Sequence, residues 1–337
     1  MMGRWLFHIT ESAVSGTSAK RRVSLTKRYS TGYLLNQATL LSDLADSIVG
    51  PAPPLVLKRC MSYFTSNQSV TSKYEEEKAK ELNKLISRLR KVDTAALCDA
   101  DKGLVAHREA DDISTSYIGL GLINPHTMRP INDQQGEPNK KMVGIARTVQ
   151  CTRPNDFLAV LRGLDEAKNG EVLVVNTLDS TRAVAGGLFL TECQRKQLGG
   201  IIIDGPMRDV SVLKKSPLLC YATSITPYSG TVQCAGETQV PIVCGGVKVM
   251  PGDIVVGDSD GVVVGSPSSF EKIIDIAENI VSLEKTLMSG MEQGIGLHSM
   301  SNYNEHLKAR QEGQTSGLEF RKKRLVSFKG IKKMNFD

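Results

Sequence analysis

The residues best suited to chemistry in this sequence follow a run of three isoleucines. The segment from Gly199 to Asp209 reads GGIIIDGPMRD, which predicts a buried strand that stops at an Asp-Gly-Pro turn and presents Arg208 and Asp209 at its exit. Ligands of α/β sheets bind beyond the carboxyl ends of the strands. A guanidinium beside a carboxylate suits an anionic substrate together with a hard cation such as Mg²⁺. A surface ion pair at a strand end is the alternative interpretation.

A second candidate site is the glycine pair in Ala185-Gly186-Gly187-Leu188-Phe189. It stands where a helix over 188–198 is predicted to begin. Backbone N–H groups are open at a helix N-terminus and the helix dipole adds positive potential, so a carboxylate or phosphate group is the natural ligand. The alternative is that the glycines serve only a turn conformation.

The surrounding pattern predicts the elements that must position these residues. Apolar runs that read as strands alternate with helical segments of about a dozen residues, which is typical of α/β units. The predicted strands are 143–149, 170–175 and the isoleucine run, and the predicted helices are 73–90, 91–100 (capped by Asp93 or Thr94), 157–167, 188–198 and 268–289. After Pro217, short apolar runs separated by Gly, Pro and Asp predict β-hairpins, so the sheet is expected to be mixed.

The loop around Asp258 and Asp260 is interpreted as a structural turn. It lacks the later ligands and the glutamate that an EF-hand calcium loop requires.

The seven cysteines are scattered without a C-x-x-C pair, which indicates buried thiols in a reducing compartment and gives no sign of a disulfide frame or a zinc site. No apolar run approaches the ~18 residues of a membrane span, so no membrane association is expected.

Both ends of the chain are basic. Residues 1–30 carry six basic side chains and one acidic, interleaved with Ser and Thr, which predicts a mitochondrial targeting segment and a matrix location. A disordered leader on a cytoplasmic protein is the alternative. Residues 31–74 are interpreted as an extension or linker. The basic tail 301–337 could bind nucleic acid or an acidic protein partner, or be a solvated extension.

Four segments in the same order resemble the RraA-like family, which includes the regulator of ribonuclease E activity A and the 4-hydroxy-4-methyl-2-oxoglutarate aldolases. They are Val143–Val149, Gly170–Val175, Gly199–Val210 and Cys244–Val262. The resemblance runs from about Val92 to Leu297, so 75–300 is predicted to be the RraA-like domain. It implies an α/β fold of the swivelling β/β/α type with a mixed sheet, flanked here by extended basic termini. It also implies homotrimers with active sites at the subunit interfaces.

The same resemblance implies roles for individual residues. Arg208 holds the keto and enolate oxygens of a small 2-keto acid, and Asp209 orders the water shell of a divalent metal, Mg²⁺ or Mn²⁺. The backbone amides of Gly186, Gly187, Leu188 and Phe189 hold the pyruvyl carboxylate. Glu284, from the C-terminal helix of a neighbouring subunit, approaches the site.

One departure from the aldolase pattern falls on Gly187. Aldolase-type members place an acidic residue with 20 residues between it and the Arg, and this count leads from Arg208 back to Gly187. Asp179 is the nearest acidic residue upstream. Two functions therefore stay open: a metal-dependent aldolase or oxaloacetate decarboxylase that works through a pyruvate enolate, and a non-catalytic regulator or structural subunit that binds a mitochondrial RNA-processing or ribonucleoprotein complex.

Overall fold

Aliphatic strands form the frame of this fold. The computed structural model describes residues 73–74, 76–103, 120–133 and 140–320. The predicted targeting segment 1–30, the extension up to residue 72 and the basic residues 321–337 lie outside the described residues. The elements named below belong to the unit Glu76–Asp337.

The strands of the described residues are β1 (Gly121–Ile123), β2 (Arg129–Pro130), β3 (Met142–Gln150), β4 (Glu171–Asn176), β5 (Gly200–Met207), β6 (Cys220–Ile225), β7 (Glu237–Thr238), β8 (Ile242–Cys244), β9 (Val247–Val249), β10 (Ile254–Gly257) and β11 (Val262–Gly265). The helices there are α1 (76–89), α2 (Thr94–Gly103), α3 (Leu158–Glu166), α4 (Gly187–Arg195), α5 (Val210–Leu213), α6 (Pro267–Glu292), the 3₁₀ turn Leu297–Met300 and α7 (Tyr303–Gln311). The predicted alternation of strands and helices is confirmed.

The large sheet is mixed, as the sequence predicts. Its strands lie in the order β1-β11-β10-β3-β4-β5-β6-β2, and β7 pairs with the end of β3. β3, β4, β5 and β6 are parallel to one another, whereas β10, β11, β1 and β2 pair in antiparallel fashion. β8 and β9 form a separate hairpin. Because β3, β4 and β5 are parallel, the segments that follow them emerge at one edge of the sheet.

Side chains of β5 alternate between two cores. Ile201 and Ile203 are buried with Leu190 of α4 on one face of the sheet. Ile202 is buried on the opposite face with Tyr221 and the β8–β9 hairpin. This alternation is the two-residue period of a strand covered on both faces. A third core packs α1, α2 and α6 against β10, with Phe270 fully buried in it.

β5 does not stop where the sequence predicts a turn. The strand continues through Gly205 and Pro206 to Met207, with a register shift against β6 between Ile203 and Pro206. The predicted Asp-Gly-Pro turn is therefore wrong, because a bulge accommodates a proline that lacks an N–H donor. The strand consequently carries Arg208 directly beyond its end.

Hydrogen bonds join the start of α2 to the turn around Asp258. Asp93 caps α2 by accepting a 2.7 Å hydrogen bond from Ala96 N. The buried carboxylate of Asp258 accepts from Thr94 N at 2.8 Å, from Thr94 Oγ1 at 2.6 Å and from Asp260 N at 3.1 Å. The interpretation of this loop as a structural turn is confirmed.

The first part of the predicted basic tail is folded. Asn302 Nδ2 donates to Gly317 O at 2.9 Å, and Glu319 N donates to Asn302 Oδ1 at 2.7 Å, so the segment after α7 returns to the start of that helix.

No helix in the described part of the chain is both long and apolar enough to cross a membrane. The thiols of Cys151, Cys193, Cys220 and Cys244 are buried, as the sequence predicts, whereas Cys98 and Cys234 are partly exposed.

Candidate active site

An extended segment between β4 and α4 brings the two candidate motifs together. On one side, Ala183 N donates a 2.8 Å hydrogen bond to Tyr228 O. On the other side, Arg208 N donates to Ala185 O at 3.2 Å. Because Gly186 follows Ala185 directly, the glycine loop and the Arg-Asp pair meet at the carboxyl edge of the sheet. The sequence-based prediction that both motifs lie at this edge agrees with the geometry.

Asp209 links the two motifs through its side chain. Its Oδ2 accepts a 3.0 Å hydrogen bond from Gly187 N and lies 3.7 Å from Arg208 Nε. The Asp209 backbone is left-handed, with φ 65° and ψ 43°, and Val212 N donates to its carbonyl at 2.8 Å. The side chains of Arg208 and Asp209 are 40% and 42% exposed, so a small solute can reach both.

The first turn of α4 presents open backbone donors. Leu190 N donates to Gly186 O at 3.1 Å and is the first of the α4 amides to bond back within the turn. Gly187 N is taken by Asp209, which leaves Leu188 N and Phe189 N as helix N-terminal donors without an intrahelical acceptor. Leu188 is 81% exposed, whereas the Phe189 ring packs edge-on against Phe157 with centroids 5.9 Å apart. This cradle suits a carboxylate.

Glycine is required at position 186 because of close contacts. A Cβ atom there would lie 2.6 Å from Asp209 Oδ2 and 2.8 Å from Arg208 Cγ. Neither atom could stay in place, so any side chain at Gly186 would disturb the Arg-Asp pair.

Val212 packs against Gly187, the position at which the aldolase pattern has an acidic residue. A Cβ atom at this position would lie 2.9 Å from Cγ1 and 3.0 Å from Cβ of Val212. Val212 therefore occupies the space into which an acidic side chain would project. The amide of Gly187, by contrast, is bonded to Asp209 and remains part of the site.

Asp179, the upstream acidic residue, makes no ion pair with Arg208 within the described residues. Its charge acts on Asp204 of β5. Burial raises the pKa of Asp204, a hydrogen bond from Gly245 N counteracts that shift, and the negative charge of Asp179 raises the pKa further. We therefore do not assign Asp179 to the site around Arg208.

Glu284 lies on α6, and within one chain it faces α2. Burial raises the pKa of Glu284, and the nearby charges of Asp93 and Asp99 raise it further. Contact between Glu284 and the site of a neighbouring subunit stays a prediction.

Asp209 is the carboxylate that lies beside both Arg208 and the start of α4, and a carboxylate is a suitable ligand for a hard metal ion. Among the described residues, no group of three or more His, Cys, Asp or Glu side chains could enclose a metal ion. A single carboxylate still fits Mg²⁺, which keeps several waters and uses one or two carboxylates together with substrate oxygens.

Comparison with known proteins agrees with this architecture. A family model described as RraA-like, Aldolase/RraA, matches residues 94–264, half of the chain. The chain belongs to the RraA-like family. This confirms the resemblance stated from the four sequence segments. The RraA-like match includes Gly186–Phe189, Arg208 and Asp209, whereas Glu284 lies beyond its end.

One RraA-like relative is a protein of Halalkalibacterium halodurans named "Putative 4-hydroxy-4-methyl-2-oxoglutarate aldolase". It is 38% identical over 169 residues, which cover 49% of this chain and 76% of the relative. A solved structure of an uncharacterized protein from Pseudomonas syringae pv. tomato matches with a TM-score of 0.51 at 22% identity, over 64% of this chain and 94% of the other. The RNA-processing inhibitor RraA from Thermus thermophilis matches at 26% identity and a TM-score of 0.39, over 47% and 92%.

The RraA-like assignment fits the described architecture, a mixed sheet with helices on its faces, and the fold match to the Pseudomonas syringae protein agrees with it. It also supports lyase chemistry at the level of the family, since the bacterial relative is named as an aldolase.

Proposed function

We propose that this chain is a divalent-metal-dependent carbon–carbon lyase for small 2-keto acids. Its reactions would be aldol cleavage of the 4-hydroxy-4-methyl-2-oxoglutarate type, decarboxylation of oxaloacetate, or both through a shared pyruvate enolate. The observation that carries the proposal is the bond from Gly187 N to Asp209 Oδ2, because it joins the open amides of α4 to the Arg-Asp pair. The relative named as an aldolase supports the same reaction class.

The open end of α4 would bind the pyruvyl carboxylate. Leu188 N and Phe189 N are free to donate to its oxygens, and the positive end of the helix dipole favours the negative charge. The edge-on contact between Phe189 and Phe157 fixes this turn against the core, so the donors are in place before substrate arrives. A carboxylate bound by these donors would present its keto group toward Arg208, because Arg208 N bonds to Ala185 O immediately before the glycine pair.

Arg208 would stabilise the charge that develops during bond cleavage. When the bond beyond C3 breaks, its electron pair moves into the pyruvyl half and places negative charge on the C2 oxygen. A guanidinium aimed at that oxygen gains interaction energy as the charge grows, which is the requirement for catalysis rather than mere binding. Arg208 keeps its guanidinium available because its Nε lies 3.7 Å from Asp209, beyond a tight hydrogen bond.

Asp209 would hold the divalent cation. A bound Mg²⁺ or Mn²⁺ would act as a Lewis acid toward the keto oxygen. Asp209 keeps its carboxylate oriented toward the glycine loop through the 3.0 Å bond from Gly187 N. The donor set of this chain is one carboxylate, so water and substrate oxygens would complete the coordination.

Proton transfer would need a further group beside Arg208. We assign this role to Glu284 of a neighbouring copy in a homotrimer. The raised pKa of Glu284 is in the direction that favours an acid near neutral pH.

We further propose a mitochondrial matrix location from residues 1–30, with the cytoplasm as the alternative.

The second candidate function is a non-catalytic regulator or structural subunit that binds an RNA-processing or ribonucleoprotein complex. The observation in its favour is the packing of Val212 against Gly187, because it leaves no room for the acidic residue of the aldolase pattern.

The test is pyruvate release by protein that begins after residue 30, with oxaloacetate and with 4-hydroxy-4-methyl-2-oxoglutarate, in Mg²⁺ and in EDTA. Arg208→Gln and Asp209→Asn are compared with Arg195→Gln, which removes the same charge at the far end of α4. We expect metal-dependent turnover that falls about 10²–10³-fold in the Arg208 variant, as for loss of an oxyanion donor. Arg195→Gln should match the wild type.

Rates equal to those of buffer with metal alone, from protein shown to be folded, would reject the lyase. The regulator would then become the favoured function. Equal losses in Arg208→Gln and Arg195→Gln would reject the assigned site while leaving the lyase activity in place.

A further inference from the structure

Arg182 lies at the same edge of the sheet as Arg208. It precedes the extended segment Ala183–Ala185, whose last carbonyl accepts the hydrogen bond from Arg208 N. The extended chain takes three residue steps from Arg182 to Ala185, a distance of about 10 Å. Two arginine side chains at this backbone separation can approach opposite ends of a small dicarboxylate.

The backbone at Arg182 is held in place by Asn155. Asn155 Oδ1 accepts 2.8 Å hydrogen bonds from both Thr181 N and Arg182 N. Asn155 N in turn donates to Ser180 Oγ at 2.7 Å. The loops after β3 and β4 thus brace each other, and the arginine stands on a fixed support.

The Arg182 guanidinium is exposed and makes no hydrogen bond or ion pair with any residue of the described ranges. Other arginines nearby have partners: Arg195 pairs with Glu192, Arg162 with Glu166, and Arg153 donates to Gln233. Asp179 is three residues from Arg182 and does not pair with it. An unpaired guanidinium on a braced backbone is available to a ligand.

The proposed substrates carry one more anionic group than the site so far binds. Leu188 N and Phe189 N are assigned to the pyruvyl carboxylate, and Arg208 is assigned to the keto oxygen. A dicarboxylic 2-keto acid presents a second carboxylate at its far end. A guanidinium matches such a group with two parallel N–H donors.

We propose that Arg182 binds the distal carboxylate of a dicarboxylic 2-keto acid and thereby selects such substrates over monocarboxylic ones. This inference rests on the proposed lyase function. It assigns specificity to a residue that the sequence motifs did not include.

The two proposed reactions treat the distal carboxylate differently. In aldol cleavage the C4 hydroxyl loses its proton to a base, the C3–C4 bond breaks toward the pyruvyl half, and a carbonyl forms on the leaving half. The resulting enolate then takes up a proton at C3 to give pyruvate. That half keeps its carboxylate, so a contact with Arg182 persists in the transition state. In oxaloacetate decarboxylation the distal carboxylate itself becomes neutral CO₂, so the same contact stabilises the ground state more than the transition state.

The experiment measures kcat and KM of wild type, Arg182→Gln, Arg182→Lys and Arg195→Gln. Two aldol substrates are compared, 4-hydroxy-4-methyl-2-oxoglutarate and 4-hydroxy-2-oxopentanoate, which lacks the distal carboxylate. We expect Arg182→Gln to lose about 10- to 100-fold in kcat/KM on the dicarboxylate, the range for a hydrogen bond to a charged group. The loss on the monocarboxylate should stay below about 2-fold, and Arg182→Lys should recover part of the loss.

Two controls distinguish this role from a general defect. Calorimetric binding of oxalate, a planar analogue of the pyruvate enolate, should be equal in wild type and Arg182→Gln because oxalate does not reach Arg182. The kcat for oxaloacetate decarboxylation should not fall in Arg182→Gln. The contact that this variant removes stabilises the substrate carboxylate more than the transition state in which CO₂ forms.

Equal effects of Arg182→Gln on both aldol substrates, or no effect on either, would overturn the specificity role while the lyase itself stands. Loss of oxalate binding in Arg182→Gln would show that the variant damages the pyruvyl site and would also overturn it. A wild type that cleaves neither compound would reject the proposed function, and the specificity role with it.

Discussion

The backbone amide of Gly187 donates a 3.0 Å hydrogen bond to the side chain of Asp209, two residues that are 22 positions apart in sequence. This bond places a metal-ligand type of side chain against the open end of α4. It also holds Asp209 while its backbone adopts left-handed angles, with φ 65°. The contact thus links the stability of a strained residue to the geometry of the site.

Replacement of Asp209 by Asn or Ala separates these two roles. Asn tolerates the left-handed backbone and can still accept from Gly187 N, so Asp209→Asn should unfold like the wild type. Asp209→Ala loses the bond and keeps the unfavourable backbone, so its free energy of unfolding should fall by about 1–2 kcal/mol. Both should lose metal-dependent pyruvate release. Chemical denaturation and the pyruvate assay together check the prediction, and a fully active Asp209→Asn would contradict it.

Gly187 and Val212 form a pair whose packing a double-mutant cycle can test. Gly187→Asp alone should destabilise the protein by about 1–3 kcal/mol, because its Cβ would lie within 3.0 Å of Val212. Val212→Ala should cost little, since this side chain is half-exposed. The double variant should recover part of the loss, because Val212→Ala removes the Cγ1 atom at 2.9 Å but keeps the Cβ atom at 3.0 Å. Strict additivity of the two free-energy changes would show that the residues do not compete for the same space.

The frame of the fold could be predicted from the sequence because β-branched runs carry a clear two-residue period. Met142–Gln150 and Glu171–Asn176 read as strands, and the helices between strands read as crossovers. The meeting of Gly186 with Arg208 then followed from a general rule, that segments after parallel strands emerge at one edge.

The finer geometry of the site could not be predicted. Asp-Gly-Pro is the usual composition of a turn, yet β5 absorbs it as a bulge because pairing with β6 resumes at Pro206. The left-handed backbone of Asp209 and its bond to Gly187 depend on tertiary contacts that no local pattern encodes. The role that we propose for Arg182 could not be predicted either, because a single arginine in a polar loop has no motif around it.

The targeting role predicted for residues 1–30 can be tested without the rest of the chain. These residues fused to a fluorescent protein should direct it to mitochondria, since they combine six basic side chains with one acidic. Replacement of Lys20, Arg21 and Arg22 by Gln should weaken import. A matched control replaces Ser15, Thr17 and Ser18 by Ala, which keeps the charge. Diffuse cytosolic fluorescence of the unaltered fusion would favour the cytoplasmic alternative.

Asp156 should make stability depend on pH in the acid range. Its buried carboxylate accepts from Gln233 N at 2.7 Å, from Thr231 Oγ1 at 2.9 Å and from Leu158 N at 3.1 Å. Burial acts to raise the pKa of Asp156, but these hydrogen bonds outweigh it and lower the pKa. The stabilisation is therefore present above the unfolded value of about 4 and is lost as pH falls below it.

Asp156→Asn should accordingly lower the free energy of unfolding by about 1–3 kcal/mol at pH 7, because one strong acceptor is replaced by a donor. Denaturant titrations between pH 7 and about pH 2 should show a difference from wild type that is constant above about pH 4 and narrows below it. A difference that grows toward low pH would contradict the assignment.

Asp204 should behave in the opposite way, although it too is a carboxylate bonded to a backbone amide. Burial raises the pKa of Asp204 above its ordinary range, and the charge of Asp179 adds to this. The folded state therefore holds the proton more tightly than the unfolded state, and stability falls as pH rises from the unfolded pKa through the folded one. Above this range the deprotonated carboxylate is less favourable in the folded state than in the unfolded state.

Asp204→Asn removes that charge while its amide oxygen can still accept the 2.8 Å bond from Gly245 N. Its Tm should therefore equal or exceed that of the wild type at pH 7, and the advantage should shrink below about pH 4, where both side chains are neutral. Asp204→Ala, which loses the bond as well, should melt below the wild type at every pH. The contrary result would be a Tm difference between Asp204→Asn and wild type that is more negative at pH 7 than at pH 4. It would mean that the ionised carboxylate stabilises the fold, so that the hydrogen bond from Gly245 N outweighs the cost of burial.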